Sequence, residues 1–161
     1  MVAGAEAGLI GFDVKPIFLL LASIAIVASV RANIGENEEK INSSYGNRIE
    51  RRIRDKSGKD TAHLEKGGTI SNLYEQGNYL FLVVFEEDLS VFEMYGRKDN
   101  QPLKPQESFR FLKTNDGSVV GWTVVNEKEQ IFERADHRLR AEFREMAGRP
   151  TLIVRVVKKK N

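Results

Sequence analysis

The sequence predicts an α+β protein in three parts: an N-terminal tail and single transmembrane helix over 1–34, a charged stalk over 35–68, and a soluble domain over 69–161 in which a small, mostly antiparallel sheet is covered by one helix. Three observations predict it. Residues 17–30 are apolar except for Ser23 and Ser29. Residues 31–60 are dense in charge and poor in large apolar side chains. Beyond Thr69, short β-branched and aromatic runs alternate with turn residues, and one longer stretch repeats its apolar residues at helical steps.

The apolar run comes first. As helix it rises about 21 Å, against a hydrocarbon core about 30 Å thick. Spanning therefore requires extension to about Val14 and Asn33. A cleaved signal peptide begins with a basic region, whereas residues 1–12 hold no Lys or Arg and include Glu6. The run is read as a retained single-pass anchor.

In the stalk, Ile34, Ile41, Tyr45, Ile49 and Ile53 recur at steps of seven or four. This thin helical stripe suits pairing with a second copy, and a solvated linker is the alternative. Gly35 and Gly46 weaken such a helix by about 1 kcal/mol each relative to Ala. The basic residues between Arg48 and Lys59 alternate with acids and read as a solvated face.

In the domain, 79–85 is apolar on both faces and reads as a central strand. Glu86-Glu87-Asp88 turns the chain into a second strand over 89–95. Residues 96–108, with Pro102 and Pro105, read as a loop. Residues 109–113 and 118–125 read as a hairpin around Asn115-Asp116-Gly117. Asn126 with Glu129 resembles a capping box, followed by Ile131, Phe132, Ala135, Leu139, Phe143 and Met146 on one helical face. Gly148 and Pro150 stop that helix, and 151–157 forms a final strand, sticky if left as an edge.

Composition narrows the chemistry. A net charge of +2 with 30% charged residues argues against a nucleic-acid binder that relies on overall positive charge. There is no cysteine, which removes disulfides and thiol catalysis. His63 and His137 have no second ligand at metal spacing. No phosphate-binding glycine loop, serine-nucleophile elbow or zinc-protease motif is present. Asn42-Ser43-Ser44 matches a glycosylation sequon, Glu86-Glu87-Asp88 reads as a turn, the terminal lysines from Lys158 read as a solvated tail, and Trp122 reads as a core or interface anchor. No enzyme site and no cofactor are expected.

Asp13, at the front of the apolar run, admits two readings. As a helix N-cap it precedes Pro16 in the first turn, where backbone donors are unpaired anyway. Within the membrane it would be a buried acid of raised pKa, able to take up and release a proton.

Asp13-Val14 followed by Phe18-Leu19-Leu20-Leu21 and Ile26-Val27-Ala28-Ser29 resembles the membrane segment of the ExbD/TolR family, relatives of the flagellar stator subunit MotB. Asn115-Asp116-Gly117, the amphipathic stretch after it and Gly148-Arg149-Pro150 resemble that family's C-terminal strand-helix-strand. The resemblance implies a homodimeric, proton-driven stator subunit of the bacterial inner membrane, with Asp13 as proton carrier inside a ring of a multi-pass ExbB/TolQ/MotA-like partner. It implies a periplasmic C-terminal domain that transmits force or binds an envelope partner. The flanking charges point the other way, because Arg31, Lys40 and Arg48 follow the run and none precedes Lys15. The alternative is a membrane-anchored, non-catalytic interaction or assembly domain with no proton path, in contact with lipid through the same run.

Overall fold

The computed structural model describes residues 34–115 and 121–158. They form one antiparallel sheet of eight strands: β1 (Asn47–Arg54), β2 (Thr69–Gln76), β3 (Tyr79–Glu86), β4 (Leu89–Arg97), β5 (Trp122–Asn126), β6 (Ile131–Arg134), β7 (Leu139–Met146) and β8 (Arg149–Val156), with two short helices, α1 (Glu38–Tyr45) and α2 (Pro105–Thr114). The spatial order is β1-β2-β3-β4-β8-β7-β6-β5. Two meanders are thus joined at the β4–β8 pair, where Met94 opposes Ile153 and Tyr95 opposes Leu152.

This corrects the expected α+β class. The strands expected over 79–85, 89–95 and 151–157 are present as β3, β4 and β8, and β8 lies inside the sheet rather than at an edge. The stalk is absent: α1 and β1 belong to the folded unit. Ile41 and Tyr45, read as a stripe for pairing, are fully buried in its core. The helix expected after Asn126 is the β6–β7 meander. Leu139, Ala141 and Phe143 alternate with Arg140, Glu142 and Arg144, and a step of four satisfies the strand period of two as well as the helix period. The hairpin strand expected over 109–113 is α2. Pro105 stands at its first position, and the Glu107 carboxylate accepts the Lys104 backbone N–H at 2.6 Å.

No helix among the described residues is long and apolar enough to cross a membrane. The predicted anchor falls on residues 1–33, outside the described residues.

Both helices lie on one face of the sheet. Beneath them, Tyr74, Phe81, Val83, Tyr95, Leu152 and Val154 point inward from successive strands. Tyr45 of α1 stacks on Phe81 at 4.5 Å between ring centroids, and Phe111 of α2 stacks on Tyr95 at 4.6 Å. Stacked and edge-on aromatic pairs add about 0.5–1.5 kcal/mol each beyond area burial. The opposite face carries the row Leu73, Leu82, Met94, Ile153, Glu142 in register, and among the described residues no helix covers it. Glu142 is buried there between Arg144 (3.0 Å) and Arg155 (3.3 Å).

Candidate functional site

Two features stand out from the hydrophobic framework. The first is a carboxyl sealed under α1. Glu93 of β4 is 1% exposed. Its Oε2 lies 3.1 Å from the Tyr45 hydroxyl, accepts a short hydrogen bond from the Tyr95 hydroxyl, and lies 3.3 Å from Asn115 Nδ2. Its Oε1 has no hydrogen-bond partner among the described residues. Burial raises the Glu93 pKa above the usual carboxyl range, with the three hydrogen bonds opposing and the nearby Glu36 charge reinforcing the shift. Burial and the Glu93 charge also push both tyrosines well above 10, so their hydroxyls remain donors. Asn115, the C-cap of α2, accepts the Ile34 backbone N–H at 3.0 Å through its side-chain oxygen. The cluster thereby fastens the entry of the chain, α1, β4 and the end of α2 at one point. Sealed from solvent, it holds elements together and offers no surface to a substrate.

The second feature is open. Beyond β8 the helices no longer cover the inner face of the sheet. Between α2 and the strands β6–β8 lies an apolar groove of about 500 Å³, bordered by Leu103, Phe109, Leu112, Phe132, Phe143 and Pro150. A second hollow, of about 380 Å³, continues it to β5 and is lined by Phe109, Leu112, Trp122, Val124 and Phe132. Phe109 is 68% exposed, which is unusual for so large an apolar side chain on a helix otherwise anchored in the core. Trp122 donates its indole N–H to the Leu112 carbonyl at 2.9 Å, tying β5 to the end of α2.

The hollow opens onto the edge of the sheet. β5 reads Trp-Thr-Val-Val-Asn and has no charge; Val124 and Val125 are 53% and 51% exposed. It pairs with β6 alone among the described residues. The other edge strand, β1, carries Arg48, Arg51, Arg52 and Arg54. Charged side chains are a usual guard against edge-to-edge pairing. One edge of this sheet is guarded and the other is not.

The sequence-predicted residues fall as follows. Asp13 lies outside the described residues. His63 is exposed. His137 sits in the turn between β6 and β7 with Nδ1 3.3 Å from Glu133. Among the described residues no group of three or more acidic or histidine side chains is placed to hold a metal. Glu87 and Asp88 form the β3–β4 turn with positive φ, and Glu86 pairs with Lys158 at 2.9 Å. Asn42 of the sequon accepts the Tyr74 hydroxyl at 2.7 Å. Trp122 is the one predicted anchor that the structure brings to the groove. Sequence reasoning did not single out Phe109 and placed Phe132 on a helical face, because it assigned both to the wrong element. The spacing of Ser108, Phe111 and Leu112 after Pro105 was the signal for α2, and it leaves Phe109 facing out. Of the residues likened to the family's strand-helix-strand, those from Trp122 to Val156 form β5 to β8. Comparison with family models, with curated proteins and with solved structures finds no match for this chain.

Proposed function

We propose that this chain is a non-catalytic assembly domain, held at a membrane by its apolar run 17–30, that joins a second copy of itself through β5. The observation that carries the reading is the unguarded edge: β5 is uncharged and half-exposed, whereas β1 at the other end holds four arginines. Antiparallel pairing of β5 with its counterpart about a two-fold axis at Val124 satisfies the open backbone groups of both copies. It is self-complementary, as an isologous interface requires. The groove lined by Phe109 and Phe132 runs up to the same edge, so pairing removes apolar surface from water as well. A neutral strand suits a copy of itself, since neither repels the other. The test is the mass of the full chain in an uncharged detergent at rising concentration, by light scattering. The wild type is expected to dimerise, and Val124→Lys, which puts a charge on the edge, to remain monomeric with its thermal melt unchanged. A wild-type chain that stays monomeric throughout ends the proposal.

A further inference from the structure

The geometry points to an anion site on the helix-free face of the sheet, built for a phosphate-type oxyanion carried on an apolar chain. Arg140 of β7 and Arg155 of β8 are directly opposed in register. Like charges facing each other across a ladder are unfavourable unless something answers them. Arg155 is answered by Glu142 at 3.3 Å. Arg140 is not: its Nε is buried without a hydrogen-bond partner, and it makes no ion pair among the described residues. Its other neighbour in the ladder, Glu133, contacts His137 instead. Arg140 and Arg155 line a hollow of about 450 Å³ with Lys158 at its rim, where Lys158 and Glu86 pair with each other. The rest of the lining is apolar, chiefly Val91, Phe92 and Val157. Val91 is the extra residue of a bulge where β4 slips against β3, between the Val84–Phe92 and Phe85–Ser90 pairs. Bulges re-aim side chains beside binding sites.

A guanidinium fork matches the oxygens of phosphate in a two-point contact. The apolar lining beside it has no use for a free ion, but it fits the first carbons of an alkyl chain. The site therefore takes the head and neck of an anionic amphiphile. Inorganic phosphate supplies only the head, and an alcohol of the same length supplies only the chain.

Calorimetric titration of the full chain, in an uncharged detergent and phosphate-free buffer, compares hexyl phosphate, inorganic phosphate and hexanol. Hexyl phosphate is expected to bind with saturation, inorganic phosphate more weakly, and hexanol not measurably. Arg140→Gln is expected to weaken hexyl phosphate about tenfold or more, in line with hydrogen bonds to charged groups, while Arg140→Lys falls between. Valine-methyl NMR locates the ligand without any variant: the resonances of Val91 and Val157 are expected to shift first. The proposal is overturned by no saturable binding, by inorganic phosphate binding as tightly as hexyl phosphate, by Arg140→Gln binding unchanged, or by methyl shifts confined to other regions.

Discussion

Among single residues, Glu93 and Asp136 set the pH behaviour in opposite senses. Burial holds the Glu93 carboxyl above its ordinary value of 4.5, so the folded chain keeps that proton longer than the unfolded chain does. Its contribution is complete below the ordinary value and is lost as the pH rises through the raised one. Asp136 accepts from Arg134 at 2.7 Å, and that hydrogen bond first, despite some desolvation, brings its pKa from 3.8 down to about 2. Its contribution is present above 3.8 and is lost as the pH falls toward 2. Denaturant unfolding as a function of pH is therefore expected to show Glu93→Gln lessening the decline on the alkaline side and Asp136→Asn lessening the decline on the acid side, where Asp99, Glu38 and Glu107, also lowered, keep part of it. A Glu93→Gln profile parallel to wild type above the carboxyl range would remove Glu93 as the cause. Gly68 gives a geometric counterpart. A Cβ there would lie 2.5 Å from the Arg54 carbonyl oxygen, a backbone atom in the β1 ladder. Gly68→Ala is expected to cost about 1–3 kcal/mol, the usual range for forced overpacking, measured by equilibrium unfolding.

For whole elements, the same residue spacing supported a correct assignment in one place and a wrong one in another. β3 and β4 were legible because 79–85 is apolar on both faces and Glu86-Glu87-Asp88 allows only a tight turn before the next run; Glu87 and Asp88 adopt the positive φ such a turn needs. β7 was not, because Leu139 and Phe143 satisfy both periods, and the alternation of Arg140, Glu142 and Arg144 between them was the deciding signal. α2 was hidden by Pro105, which reads as a loop residue until it is placed at the first helical position. α1 was hidden by Gly46, whose φ of 79° ends the helix after eight residues rather than interrupting a long stalk. The buried Glu93 cluster was beyond sequence reasoning, since its partners Tyr45 and Asn115 come from two helices whose placement depends on the whole sheet. If α1 is part of the core, Ile41→Ala should lower stability by about 2–5 kcal/mol, the usual cost of such a truncation. A stalk residue would cost almost nothing, so an unfolding midpoint equal to wild type would return α1 to the linker.

Across the whole molecule, what matters is that the two edges of the sheet differ. Among the described residues the eight-stranded sheet has two edge strands, and arginines guard only the β1 edge. Five residues of β5 make a small interface by themselves, so pairing in dilute solution is weak. On the proposed reading, holding both copies in one membrane would raise their effective concentration and convert a weak edge into a usable one. The tether has its own test: alkaline carbonate washing of membranes should leave the full chain in the pellet, and full release would remove the tether from the account. The pairing can be read in place, because the chain has no cysteine of its own. Directly opposed residues of an antiparallel pair lie about 4.5–5.5 Å apart between Cα atoms, within the range a disulfide spans. Under mild oxidation in membranes, Val124→Cys is expected to give a linked dimer. Ile49→Cys, comparably exposed at 46% but on the guarded β1 edge, is expected to give none. Equal linkage at both positions would mean random collision rather than pairing through β5. Linkage at Ile49 alone would move the interface to the opposite edge.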